Sequence, residues 1–204
     1  MKGISDYRAD VLTILGDETG RRFGENILDM GLSQALEEYR KYCPKKETIT
    51  QRVSGIDVNI VTINFPIDPA VYILAVRDES GQAYNFAEYR SDHELFLTLY
   101  NSSRMPAVDT RLQLELSVPH KIKGLDSASQ TTVPDSHCLI VCSGAAGFAM
   151  RIRARSVTEV FGKRPEDREA LAAQAEVLIT EFERDLAGIQ AAVADPLPRG
   201  GFPI

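Results

Sequence analysis

From residue 5 to residue 42 apolar side chains return every three or four positions, the repeat of a helix that buries one face. Val11, Leu12 and Leu15 form a short stripe on a predicted helix 5–15, which Ser5 or Asp6 can cap. Gly16-Asp17-Glu18-Thr19-Gly20 breaks the pattern as a loop. Ile27, Leu28, Leu32, Ala35, Leu36 and Tyr39 then mark one face of a second predicted helix, 25–42. Cys43-Pro44 closes it, because a residue before proline avoids the helical conformation. The chain is expected to open as a helical hairpin.

Between 47 and 118 the repeat shortens to two. Thr48–Val53 and Val58–Ile63 are rich in β-branched residues and partly alternate, and Ser54-Gly55 between them suits a turn. Phe65 to Pro69 is a corner with two prolines, and Val71–Val76 is a continuous apolar run that suits a central strand. Tyr84–Tyr89 is predicted as an edge strand, followed by Leu95–Tyr100. From 111 to 118 the alternation is clean, with Leu112, Leu114, Leu116 and Val118 on one face and Arg111, Gln113, Glu115 and Ser117 on the other. The prediction is a mostly antiparallel sheet of about five or six strands.

A polar loop follows His120, and Pro134 and Asp135 then suit the start of a helix over 135–161. From His137 to Met150 that helix is apolar on nearly every side, so it must be covered all round by its own fold or by a neighbouring copy. Gly144 and Gly147 each lower helix propensity by about 1 kcal/mol relative to alanine, a cost that makes sense where another backbone packs very close. Leu139, Val141, Gly144, Gly147 and Met150 are the expected oligomer interface. A last helix is predicted over 166–194, with Leu171, Ala175, Leu178, Phe182 and Leu186 as its stripe. Three prolines and two glycines make 195–204 an extended arm, in which Leu197, Phe202 and Ile204 are apolar in a way a solvated linker rarely needs. The fold class is α+β, a single domain over 1–194 with a β-rich insertion at 47–118, plus the arm.

Composition narrows the function. The 204 residues are 44% hydrophobic and 25% charged, with a formal net charge of -6. That balance supports a folded core and argues against a general nucleic-acid coat, which would be basic. It leaves room for a surface past which DNA slides without sticking. Three cysteines make no disulfide framework and point to a reducing compartment. No apolar run reaches the roughly 20 residues of a membrane span.

Candidate chemistry is sparse. Cys138 and Cys142 lie four apart on a helix, next to His137, but no second pair of Cys or His stands at a usable spacing, so neither metal nor cofactor is expected. Ser143 is not in a Gly-x-Ser-x-Gly elbow, and no phosphate-binding glycine motif occurs. His120 follows a strand and could serve a small hydrolase, yet no nucleophile can be assigned beside it. No catalytic residue is named, and the chain is not expected to be an enzyme. Arg151, Arg153 and Arg155 each lie about 200° around the helix from the next, so Arg151 and Arg155 share a face. They can pair with acids of a neighbouring subunit or touch DNA phosphates. The acidic total favours the former.

Three segments in this order resemble the head-to-tail connector (adaptor) proteins of tailed bacteriophages. The first is the hairpin whose second helix reads from Leu32 to Pro44 and leads into a β-rich middle. The second is Pro119-His120, then Gly124-Leu125-Asp126, then Thr131-Thr132-Val133-Pro134. The third is the Ala/Gly-rich helix Gly144 to Ala154 with its amphipathic successor. The resemblance spans residues 5 to 190, and the β-rich middle is longer than in the smallest adaptors. It implies a virion protein of the neck, a ring commonly of twelve subunits beneath the portal. Such a ring extends the DNA channel and docks the next neck or tail component. The terminal arm would reach the portal or a neighbouring subunit. Another neck or tail-completion protein, such as a tail terminator or a capsid-associated factor, is the alternative.

Overall fold

The computed structural model describes residues 2–57, 60–63, 71–90, 95–100, 105–156 and 165–193. It is an α+β protein that divides into two compact units, one made of Met1–Cys43 with His120–Ile204 and the other of Pro44–Pro119. The segment expected as an insertion into a single domain is a compact unit of its own.

The helical unit is built from α1 (Ile4–Ile14), α2 (Glu25–Tyr42), α3 (Cys138–Ser156) and α4 (Pro165–Val193). Helix α1 starts one residue earlier than the sequence suggested. Its N-cap is Gly3, whose N–H donates to the Asp6 carboxylate at 2.8 Å. A 3-10 turn over Asp135–His137 precedes α3, with Pro134 as its N-cap in extended conformation. The predicted ends of the last two helices, 157–161 and residue 194, lie outside the described residues. The α2 stripe is buried as expected at Leu28, Leu32, Ala35, Leu36 and Tyr39. Along α4 the buried positions are Leu171, Ala175, Ile179, Phe182 and Leu186, with Leu178 only partly covered.

The apolar helix α3 lies at the centre, packed against α1, α2 and α4. Its glycines and alanines let backbones and rings come close. A Cβ on Gly31 of α2 would stand 2.6 Å from the Ala145 carbonyl oxygen, and one on Gly144 the same distance from the Phe182 ring. One on Gly147 would stand 2.9 Å from Ile179. Small residues at these points let the helices meet closely enough to fill a dense core.

The sheet unit holds seven antiparallel strands in the order β1-β7-β4-β5-β6-β3-β2. They are β1 (Lys45–Arg52), β2 (Gly55–Asp57), β3 (Ile60–Ile63), β4 (Tyr72–Asp78), β5 (Ala83–Arg90), β6 (Leu95–Tyr100) and β7 (Arg111–Val118). The first predicted turn is not a hairpin. The β1 strand pairs with β7, which lies far along the chain, whereas β2 pairs with β3. Only Val53 and Ser54 separate these two outer strands. Val53 N–H donates to the Thr110 carbonyl and Ser54 N–H to the Thr62 carbonyl, both at 3.0 Å. The sheet therefore curls until its two outer strands meet end to end through Val53 and Ser54. Val61, Val76, Leu97, Leu99, Leu112, Leu114 and Leu116 fill the interior of the curl. Two expectations change. Strand β5 is not an edge strand, because β4 and β6 flank it, and β4 alternates rather than being buried throughout, with Tyr72 and Leu74 exposed. The corner at 65–69 lies outside the described residues.

Candidate functional site

The five residues expected at an oligomer interface have different fates. Val141, Gly144, Gly147 and Met150 are buried in the chain's own helical core. The cover that α3 needs comes from α1, α2 and α4, so these four positions are not available to a neighbour. Leu139 alone stays exposed, at 67%. Arg151 and Arg153 also turn inward to their own chain. The Arg151 guanidinium lies 4.8 Å from the centre of the Phe148 ring and that of Arg153 5.4 Å from Phe23, both within cation–π range. Arg155 is exposed near the end of α3. Leu197, Phe202 and Ile204 of the arm lie outside the described residues.

The segment from Pro119 to Pro134 is a clasp at the point where the chain returns to the helical unit, anchored by the buried Ile122, Leu125, Thr131 and Val133. His120 Nε2 donates to the Cys43 carbonyl at 2.8 Å, the last residue before the chain leaves that unit. This fixes the tautomer. Nδ1 then accepts from the Thr132 hydroxyl at 3.2 Å, and the Thr132 oxygen accepts the Lys121 N–H at 2.8 Å. The imidazole stands edge-on to Tyr39, 4.8 Å between centres. Tyr39 shares a 2.6 Å hydrogen bond with His137 Nδ1, and burial pushes its phenol above the usual range. Both ring nitrogens of His120 thus serve structure, which gives a physical task to the residue on which a hydrolase would rest. Thr131 works in parallel. Its oxygen accepts the Lys123 N–H at 2.9 Å and its hydroxyl donates to the Lys2 carbonyl at 2.7 Å, which ties the start of α1 to the loop. Gly124 has a φ of 92°, and a Cβ there would meet Ile4 at 2.7 Å. The Pro119-His120, Gly124-Leu125-Asp126 and Thr131-Thr132-Val133-Pro134 runs are therefore one device for closing the helical unit.

A surface that the sequence reading missed lies on the outer face of the sheet. Register puts Thr62, Phe96 and Tyr89 in one cross-strand row and Ile60, Thr98 and Ala87 in the next. Tyr100 stands opposite Asn85. Tyr89 is 69% exposed and Tyr100 50%, and Tyr89 leans on Phe96 at 6.0 Å. The sequence concealed this face because β5 carries aromatics on both sides. Tyr84 and Phe86 point to the core while Tyr89 points away.

The structure also brings together residues that the sequence keeps far apart. Asp10 of α1 meets Cys138 and Cys142 of α3, whereas His137, the expected companion of the two thiols, is turned to Tyr39. Among the described residues no helix is long and apolar enough to cross a membrane.

No family model matches the chain, and no curated protein does so either.

Proposed function

We propose that the chain is a structural subunit of a tailed-phage head-to-tail connector, forming a ring, commonly of twelve copies, beneath the portal. The ring lengthens the channel through which DNA passes without sequence specificity and offers a docking surface to the next neck or tail component. The observation that carries the reading is the aromatic outer face of β3, β6 and β5, which is more apolar than a surface meant only for water needs to be. The motif order along the chain supports it from the sequence side. In this reading the ring is held by the sheet face and Leu139 rather than by the middle of α3, and the arm with Leu197, Phe202 and Ile204 docks on the portal or a neighbouring copy.

The test is the mass of the particle formed with and without portal protein, with negative-stain images of the mixture. A ring seated on the portal is expected. Free monomers beside bare portals would end the proposal.

A further inference from the structure

Lys2, Asp6, Asp10 and Asp135 line an open surface cavity of about 550 Å³ beside the start of α1, three carboxylates against one ammonium. Asp10 also borders the two buried thiols of α3. The Cys138 Sγ lies 3.8 Å from Asp10 Oδ2, and one oxygen of Asp10 and the two sulfurs all fall within 4.8 Å of one another. Cys142 is fully enclosed, 4.0 Å from the Tyr7 carbonyl oxygen. Asp10 thus belongs both to the acidic rim of this cavity and to a three-donor set with the two thiols.

We propose that Asp10, Cys138 and Cys142 form a binding site for a divalent cation of the zinc class. Two soft sulfurs and one carboxylate are donors that such an ion takes, and water from the adjoining cavity supplies a fourth position. Bond lengths of about 2.3 Å to sulfur and about 2.0 Å to oxygen require the three donors to draw in by about 1 Å, within the reach of small side-chain rotations. Binding proceeds with balanced charge. Each thiol releases one proton to solvent as its sulfur bonds the cation, and Asp10 exchanges its 2.6 Å pairing with the Lys2 ammonium for the metal. The bound ion would pin α1 to α3 where the chain begins.

The test is titration of the full chain, first stripped with a chelator, with Cd2+ or Co2+ while thiolate-to-metal charge-transfer absorption is followed. One equivalent is expected to saturate the signal. Cys43→Ala leaves it unchanged, Cys138→Ala and Cys142→Ala abolish it, and Asp10→Asn weakens binding by about tenfold or more, at least what loss of an outer-shell partner costs. Asp10 is partly exposed, so the asparagine variant decides the matter even where a cysteine variant fails to fold. Absence of the signal, or its survival in Asp10→Asn with unchanged affinity, overturns the site.

Discussion

At Gly31 the backbone of α2 comes so near α3 that one added methyl would overlap the Ala145 carbonyl oxygen, whereas on the outer face of the sheet Tyr89 stands mostly in solvent and Tyr100 is half exposed. The helical unit spends its small residues on drawing helices together and encloses the apolar middle of α3. The sheet unit fills its interior mostly with aliphatic residues, joined by Tyr84 and Phe86, and leaves Tyr89 and Tyr100 on its outer face. The contrast teaches that an apolar helix is poor grounds for an interface. What matters is whether the same chain also supplies the faces that cover it.

Substitutions can break or sharpen that contrast. Phe182→Ala removes the ring that fills the space over Gly144 and should cost about 3–5 kcal/mol in urea unfolding. A loss under half of that would mean the helical core is looser than described. Gly31→Ala should destabilise by about 1–3 kcal/mol, because backbone cannot move aside as a side chain can. Gly147→Ala should cost less, since its nearest contact is a side-chain carbon of Ile179 at 2.9 Å rather than backbone at 2.6 Å. If Gly31→Ala instead stabilised the chain, by the roughly 1 kcal/mol that alanine gains in a helix, the close approach would be wrong.

Tyr39→Phe leaves His137 Nδ1 without its partner and should cost about 1–3 kcal/mol, read by thermal melting.

Asp17 gives a pH-dependent effect. Burial pushes its carboxyl up, but N–H groups of Phe23, Arg22 and Arg21 and the Thr19 hydroxyl outweigh burial and hold it below the usual range. A lowered folded-state pKa means the stabilisation is complete above the ordinary carboxylate pKa and disappears as pH falls through the depressed value. Asp17→Asn should therefore melt lower than the parent at neutral pH, with the gap closing in acid. A gap that widened in acid would contradict the hydrogen bonding described. The smallest effect on stability is expected from Tyr89→Ser with Tyr100→Ser, within about 0.5 kcal/mol. If the parent seats a ring on the portal as proposed, and this pair melts like the parent yet does not, the sheet face is the assembly surface.

Much of this architecture was legible in the chain. The stripes from Leu28 to Tyr39 and from Leu112 to Leu116 fell on the helix and strand they foretold, because periodicity reports directly which side of an element is apolar. It does not report which element meets which. The stripes of α2 and α4 and the all-round apolar α3 were each visible, but their mutual fit was not, and so α3 was expected to need a neighbour. Closure of the sheet through Val53 and Ser54 depends on β1 reaching β7, a pairing distant in sequence with no local signal. Asp10 beside Cys138 was invisible for the same reason.

The enclosure of α3 is the point on which the rest turns, and hydrogen exchange on the chain kept monomeric by dilution tests it most directly. Amides from Val141 to Met150 should exchange as slowly as those of Leu32 to Leu36, at the rate of global unfolding. Rapid exchange through Val141–Met150 in the monomer, slowing only when copies assemble, would contradict the account.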